Sequence, residues 1–364
     1  MRKISLLLVL LIFAGTAHAD PGKCIPRDPR DCTIVLTFDD GPKPDVLPEL
    51  LAFLKKEKIS GTFYILGWKA SNRPELIRQI HAEGHLIANH TMNHETFEEL
   101  VSRKFGKPKP NMTTEEKKER EARVREKVAA LYLEDVERSA QVTQKILGYR
   151  PLFFRPPRWQ ITQELYCALE NAGYLVQTKS SGIHDHLCPR RQEILRGIEA
   201  NFRQGVPRTS RQEYKRYGEL KEIERRDVNT TDYDFFEWYA KKGKRSFMKD
   251  GFEVWVKSQF KAMGLSLLRA DLERISVGYE KNHEQAVVDL FTILVRGLIQ
   301  KRESAGTNIH ILAMHELKLT ARALYSLVPE LRKRGYRFEN IAFVYGIPGC
   351  VGRDKYGSLH CSQQ

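Results

Sequence analysis

The feature that most constrains this 364-residue chain is the run Thr33-Ile34-Val35-Leu36-Thr37-Phe38, which passes directly into Asp39-Asp40-Gly41-Pro42. An apolar, β-branched run of this length reads as a buried strand. Gly-Pro behind it forces a turn. Around that strand the pattern alternates: helix over 47–57, strand over 62–66, helix over 74–82 and strand over 85–88. It continues with helix 128–147, strand 152–154, helix 161–171 ending at Gly173, and strand 174–178. The rhythm resumes with helix 286–301, strand 309–314, helix 320–334 and strand 341–345. Strands and helices in alternation predict an α/β fold with parallel strands, and 41 % hydrophobic residues suffice for its core.

Two segments interrupt the alternation. Residues 101–130 start Lys/Pro-rich and continue as a charged helix, with Thr113 or Thr114 as its cap and Glu116 completing a capping box. Residues 189–285 form a larger insertion, Arg-rich first and aromatic later. The formal charge of +14 is concentrated in these two: residues 101–130 carry 10 Lys/Arg against 5 Asp/Glu, and 189–250 carry 16 against 11. Either these are solvated basic helices, or they touch an anionic polymer.

Residues 1–19 read as an export signal: Arg2 and Lys3, the apolar run 4–13, and Ala17-His18-Ala19 as the cleavage site. The run is too short to span a bilayer, and no second long apolar stretch follows. Cleavage after Ala19 would leave one soluble exported domain, 20–364, that is periplasmic or secreted. Neither nucleic acid nor stable membrane insertion is then expected. The six cysteines fit disulfides in such a compartment, and proximity favours Cys24–Cys32, Cys167–Cys188 and Cys350–Cys361.

Chemistry-bearing residues gather at predicted strand ends, where α/β folds place reactive groups. Asp39 and Asp40 are adjacent, so their side chains point in different directions and serve different purposes. His90 and His94 are spaced i,i+4, which on a helical turn would put both imidazoles on one face to hold a divalent metal. Two imidazoles and one carboxylate leave a coordination position open, as catalytic zinc-type sites do. Zinc suits this donor set best, with cobalt, nickel or manganese as alternatives. Phe154-Arg155-Pro156-Pro157-Arg158 follows another short strand, and a further apolar strand, 310–314, leads into His315-Glu316.

In this order the motifs resemble those of the NodB-like polysaccharide deacetylases: Thr37 to Pro42 the first, Gly84 to His94 the second, Arg155-Pro156-Pro157 the third, and the strand ending in His315-Glu316 the fifth. The resemblance covers about residues 33–187 and 286–345. It implies a distorted, partly open (β/α) barrel and metal-dependent removal of acetyl groups from a glycan. It further implies Asp40, His90 and His94 as metal ligands, Asp39 as general base, His315 as general acid and Arg155 as the group that orients Asp39.

Three departures stand out. Arg158 occupies a position where the family usually has Tyr, keeping the backbone N–H as an oxyanion donor but losing the ring. The fourth motif is reduced to Asp185-His186, with Asp185 as a candidate to orient His315 and Trp159 as a substitute pocket wall. Finally, the insertion 189–285 is unusually large, and is expected to be a substrate-recognition elaboration at the barrel rim. The expected partner is an acetylated glycan polymer, most readily peptidoglycan. Chitin or chitooligosaccharides, a polysaccharide O-acetyl ester, and a non-catalytic glycan binder that retains the metal are the alternatives.

Overall fold

Strand β1 (Thr33–Gly41) is central. In the computed structural model, residues 24, 31–106, 108–177, 282–304, 309–347 and 349–353 are described, with shorter pieces between 227 and 306 and at 359–361. The export signal, Asp185, Cys188 and most of 189–285 lie outside the described residues.

The chain runs from β1 to α1 (Leu47–Lys56), β2 (Thr62–Ile65), α2 (Gly67–Asn72), α3 (Pro74–Ala82) and β3 (Leu86–Asn89). Next come α4 (Phe97–Phe105), α5 (Thr114–Leu147), β4 (Arg150–Pro151), β5 (Phe153–Phe154), α6 (Gln163–Asn171) and β6 (Leu175–Val176). The described remainder is β7 (Asp227–Asn229), α7 (His283–Ser304), β8 (Ile309–His315), α8 (Lys318–Lys333), β9 (Arg337–Glu339), α9 (Ile341–Val344), β10 (Cys350–Arg353) and β11 (Leu359–Cys361).

The main sheet is parallel, in the order β6-β5-β3-β2-β1-β8-β7. Its end strands, β6 and β7, are not paired with each other among the described residues, so the barrel is open there. One edge of β1 follows β8 over its full length, Thr33 opposite Ile309 through Asp39 opposite His315. The other edge is divided: β9 takes Thr33–Val35 and β2 takes the half from Thr37. A small antiparallel sheet, β11-β10-β4, lies apart from the main one.

Alternation along β1 sorts the two faces. Ile34, Leu36 and Phe38 pack with α1, α3, α7 and α8 in the outer core, while Val35 joins Tyr64, Ile309 and Ile311 in a second cluster on the inner face. With a period of two, Thr37 and Asp39 fall on that inner face. Burying a side chain such as Phe38 is worth about 1.5–3 kcal/mol, so the chain has strong reason to keep this register. A slip of one residue would turn Asp39 outward.

Several expectations need correction. The stretch 341–345 is not a strand but the short helix α9, with β9 just before it. Asn340 is its N-cap, accepting a hydrogen bond from the Phe343 N–H, and an apolar run this short fits a buried helix turn as well as a strand. The charged helix and the helix at 128–147 are one 34-residue element, α5, about 51 Å long at 1.5 Å per residue. It starts at the Thr113–Glu116 capping box and buries Val124, Val128, Tyr132, Val136 and Ala140 along one stripe. A second capping box, Thr96 with Glu99, opens α4, a helix the pattern reading passed over, as it did α2. The insertion is more than a rim elaboration, since β7 from within it pairs in parallel with β8 and Phe260 is buried in the outer core.

Cys24 and Cys32 form a disulfide, as proximity suggested. Cys167 and Cys350 are also disulfide-bonded, and Cys350 lies opposite Cys361 in the β10–β11 ladder. No helix among the described residues is long and apolar enough to cross a membrane.

Candidate metal centre and active site

The two adjacent carboxylates diverge because the backbone breaks between them. Asp39 pairs with Tyr64 and Gly41 with Ile65, so Asp40 is the extra residue of a bulge, in left-handed conformation at φ 64°. Bulges re-aim side chains in this way. Asp39 stays on the inner face of the sheet, and Asp40 swings to the carboxyl ends of the strands.

There Asp40 Oδ1 meets His90 Nε2 at 3.4 Å and His94 Nε2 at 3.2 Å, while Oδ2 lies 3.8 Å from His315 Nε2. The candidate ligand atoms of Asp40, His90 and His94 all fall within 4.8 Å of one another. Burial works to raise the Asp40 pKa, but the His90 imidazole, with His315 and His94, outweighs it and holds the carboxyl well below the usual range. Burial and the neighbouring His90 push His94 down, against the pull of Asp40 and Asp39.

The two imidazoles do not converge by sitting on a helix. Residues 90–96 form a loop after β3, and Thr91 (φ 73°) and His94 (φ 60°) both adopt left-handed conformations. Local side chains hold it: Asn89 Oδ1 accepts from Thr91 N, Thr91 Oγ1 accepts from His94 N, and Asp135 on α5 accepts from Met92 N and Asn93 Nδ2. Such side-chain-to-backbone bonds compete with helix formation. They curl the loop so that the i,i+4 pair still meets, its ring centroids 5.1 Å apart.

Arg155 is fully buried and joins the two halves of the site. Its guanidinium donates to Asp39 Oδ1 (2.5 Å), Thr37 Oγ1 (2.9 Å) and Gln177 Oε1 (2.7 Å). Its carbonyl oxygen bonds His90 Nδ1 at 2.7 Å, which turns Nε2 toward Asp40, the orienting contact that metal-binding imidazoles characteristically have. The guanidinium also lies over the rings of Tyr64 (4.0 Å) and Trp159 (4.6 Å). Gln177, just past β6, was not singled out from sequence. It is buried and accepts from both Arg155 and the Tyr64 hydroxyl; a lone Gln closing a strand gives no sequence signal of that role.

Asp39, Asp40, His90, His94, Arg155 and His315 therefore converge at one end of the sheet. Trp159 reaches the site through its ring, and Arg158 is turned aside to pair with Glu99 (2.9 Å). Beside His94 a groove of about 710 Å³ opens between α4 and α5, with Glu95, Glu99, Arg103, Asp135, Arg138 and Arg158 among its walls.

Residues 27–176 match the family described as polysaccharide deacetylase. Over this stretch the chain is similar to polysaccharide deacetylases. It is 48 % identical over 62 residues to a chitooligosaccharide deacetylase of Bradyrhizobium sp., covering 17 % of this chain and 28 % of that one. It is 31 % identical over 145 residues to a peptidoglycan-N-acetylglucosamine deacetylase of Bacillus cereus, covering 40 % and 43 %. With a peptidoglycan-N-acetylmuramic acid deacetylase of Bacillus subtilis it shares 28 % over 146 residues, covering 40 % and 45 %. In each case the chain spans less than half of the relative's length.

Proposed function

We propose that the protein is an exported, metal-dependent hydrolase that removes N-acetyl groups from an amino-sugar glycan, with peptidoglycan as its polymer. The observation that carries this reading is the meeting of Asp40, His90 and His94 beside an Asp39 locked by Arg155. Asp40 Oδ1 is buried with no hydrogen-bond partner and faces two imidazole nitrogens, which suits a cation-binding atom. Asp40, His90 and His94 would hold the metal, zinc best matching the set. When bound, such a cation supplies Lewis acidity to the acetyl carbonyl and to water.

This chain's own groups account for the proton traffic. Asp39, with one carboxylate oxygen fixed by Arg155, takes the proton of the attacking water as general base. The Arg158 backbone N–H supports the oxyanion, and Trp159 walls the acetyl group. His315, next to Asp39 across the β1–β8 pair, gives a proton to the departing amine, a task suited to a side chain that titrates near neutrality. Water and the N-acetyl group thus leave as acetate and a free amine. Asp185 as an orienter of His315 belongs to this reading too, although it lies outside the described residues.

Export is supported by the 1–19 pattern and by the disulfides. Peptidoglycan is favoured by the Bacillus relatives, whose match extends over 145 and 146 residues. A second reading, deacetylation of chitooligosaccharides, is favoured by the higher identity to the Bradyrhizobium relative. The decisive assay is acetate release from peptidoglycan and from chitooligosaccharides, with and without a chelator, with mass spectrometry of the deacetylated sugar. Chelator-sensitive release from peptidoglycan is expected. Preference for the oligosaccharide moves the substrate to the second reading, and no release from either overturns the enzyme reading.

A further inference from the structure

Glu316 has no part in the chemistry assigned above, yet it is completely buried beside it. It directly follows His315 at the end of β8, and its Oε2 accepts the Lys43 backbone N–H at 2.7 Å. Its other oxygen packs against Gly41 so closely that a Cβ there would stand 1.8 Å from Oε1. Lys69 on α2 donates to the Asp40 carbonyl oxygen at 2.6 Å. The end of β1 and the turn after it are thus held at Asp40 by Lys69 and at Gly41 and Lys43 by Glu316.

That grip answers a mechanical need. Asp40 sits at φ 64°, a left-handed conformation that is strained for a non-glycine residue and persists only where the surroundings over-determine it. Burying a carboxylate is costly as well, and burial pushes the Glu316 pKa up to about 7 against the pull of Lys43 and Lys69. A hydrophobic residue would fill the space more cheaply.

We propose that Glu316 is a positioning residue: it ties the Asp40–Lys43 turn to the strand carrying His315, keeping the Asp40 carboxylate aligned with His90 and His94. The proposal rests on the reading above only in taking Asp40 as a metal ligand.

Glu316→Met keeps the volume and removes the acceptor, while Glu316→Gln keeps an acceptor for the Lys43 N–H. Three quantities are read in full-length protein: hydrogen exchange of the Lys43 amide, affinity for Zn²⁺ by chelator competition, and Tm. Glu316→Met should speed Lys43 exchange and weaken Zn²⁺ binding by about 10–100-fold, the usual loss when a ligand's supporting contact goes. Glu316→Gln should restore most of both. Leu327→Ala, a core change under α8, should lower Tm while leaving Lys43 exchange and Zn²⁺ affinity alone. A Glu316→Met protein with wild-type Zn²⁺ affinity and Lys43 protection would overturn the proposal, whatever its Tm. Should that variant not fold, the wild-type amide decides: exchange at Lys43 as slow as at β1 amides supports the clamp, and exchange as fast as in open loops refutes it. Exchange needs neither metal nor turnover, so a protein that releases no acetate sinks the deacetylase reading without deciding this one.

Discussion

The Asp39–Lys43 turn and the 90–94 loop each bring candidate metal-binding groups to the same point, and each relies on left-handed residues to do so. They are stabilised in different ways. The Asp40 turn is gripped from outside, by a buried carboxylate on β8 and a lysine on α2. The histidine loop combines its own side chains, Asn89 and Thr91, with tethers from outside: Asp135 of α5, the Arg155 carbonyl on His90 Nδ1, and the Gly67 and Trp68 N–H groups of α2, which donate to the Thr91 and Met92 carbonyls. The turn is held by groups arriving from β8 and α2, whereas the loop is held by its own side chains and by α2, α5 and the segment after β5 together.

The most severe way to break this arrangement is His94→Ala, which should abolish both metal retention and acetate release. Elemental analysis showing stoichiometric metal in that variant would remove the histidine loop from the metal site. Asp39→Asn separates the two carboxylates that the bulge pulls apart. Metal should stay bound while turnover drops by roughly two to four orders of magnitude, the usual worth of a general base; loss of metal instead would mean that Asp39 and Asp40 have been assigned each other's roles.

More exposed than Glu316 is the tether that Asp135→Ala removes. Its contacts are only partly buried, so water can replace them, and the fall in Zn²⁺ affinity should sit near the lower end of the 10–100-fold range, below that of Glu316→Met. Chelator competition on the two variants side by side makes the comparison. The smallest effect lies at the root of the histidine loop. His85 accepts the Gly61 N–H through Nδ1, and burial pushes its pKa down to about 4. Its neutral form is favoured by folding, so the stability it contributes is complete above about pH 6.5, the unfolded value, and is lost as pH falls through 4. In metal-free protein, Tm should decline across that window, and His85→Gln should flatten the decline.

Much of the site was legible because it sits where an apolar strand meets polar residues. Asp39, Asp40 and His315 could be placed on strand ends from pattern alone. The i,i+4 histidines were matched to the right partner for the wrong local reason, since Asn89 and Thr91 bond backbone amides and divert the chain from the helix that the spacing suggests. Gln177 and Glu316 stayed silent because a polar residue at a strand end reads as solvated; their burial is decided by what packs over them from elsewhere. The 341–345 segment failed for a related reason: five apolar residues announce burial without announcing a period, and the informative residue was the cap, Asn340. In α5 the absence of Gly and Pro between 114 and 147 was the sign of one continuous helix.

The order in which the barrel can be assembled follows from the full-length pairing of β1 with β8. The three metal-ligand candidates lie within residues 40–94, at the end of β1 and in the loop after β3, two strands that flank β2 in the sheet. The partner that covers the remaining edge of β1 arrives some 275 residues later, as the Thr37–Leu312 contact shows. Closing so long a loop is slow relative to local pairing. A chain emerging from synthesis would therefore have the residues proposed to bind a cation long before the one proposed to donate a proton, and the central strand would wait with one side exposed. Catalytic competence and protection of that edge would arrive together, in the same late docking step.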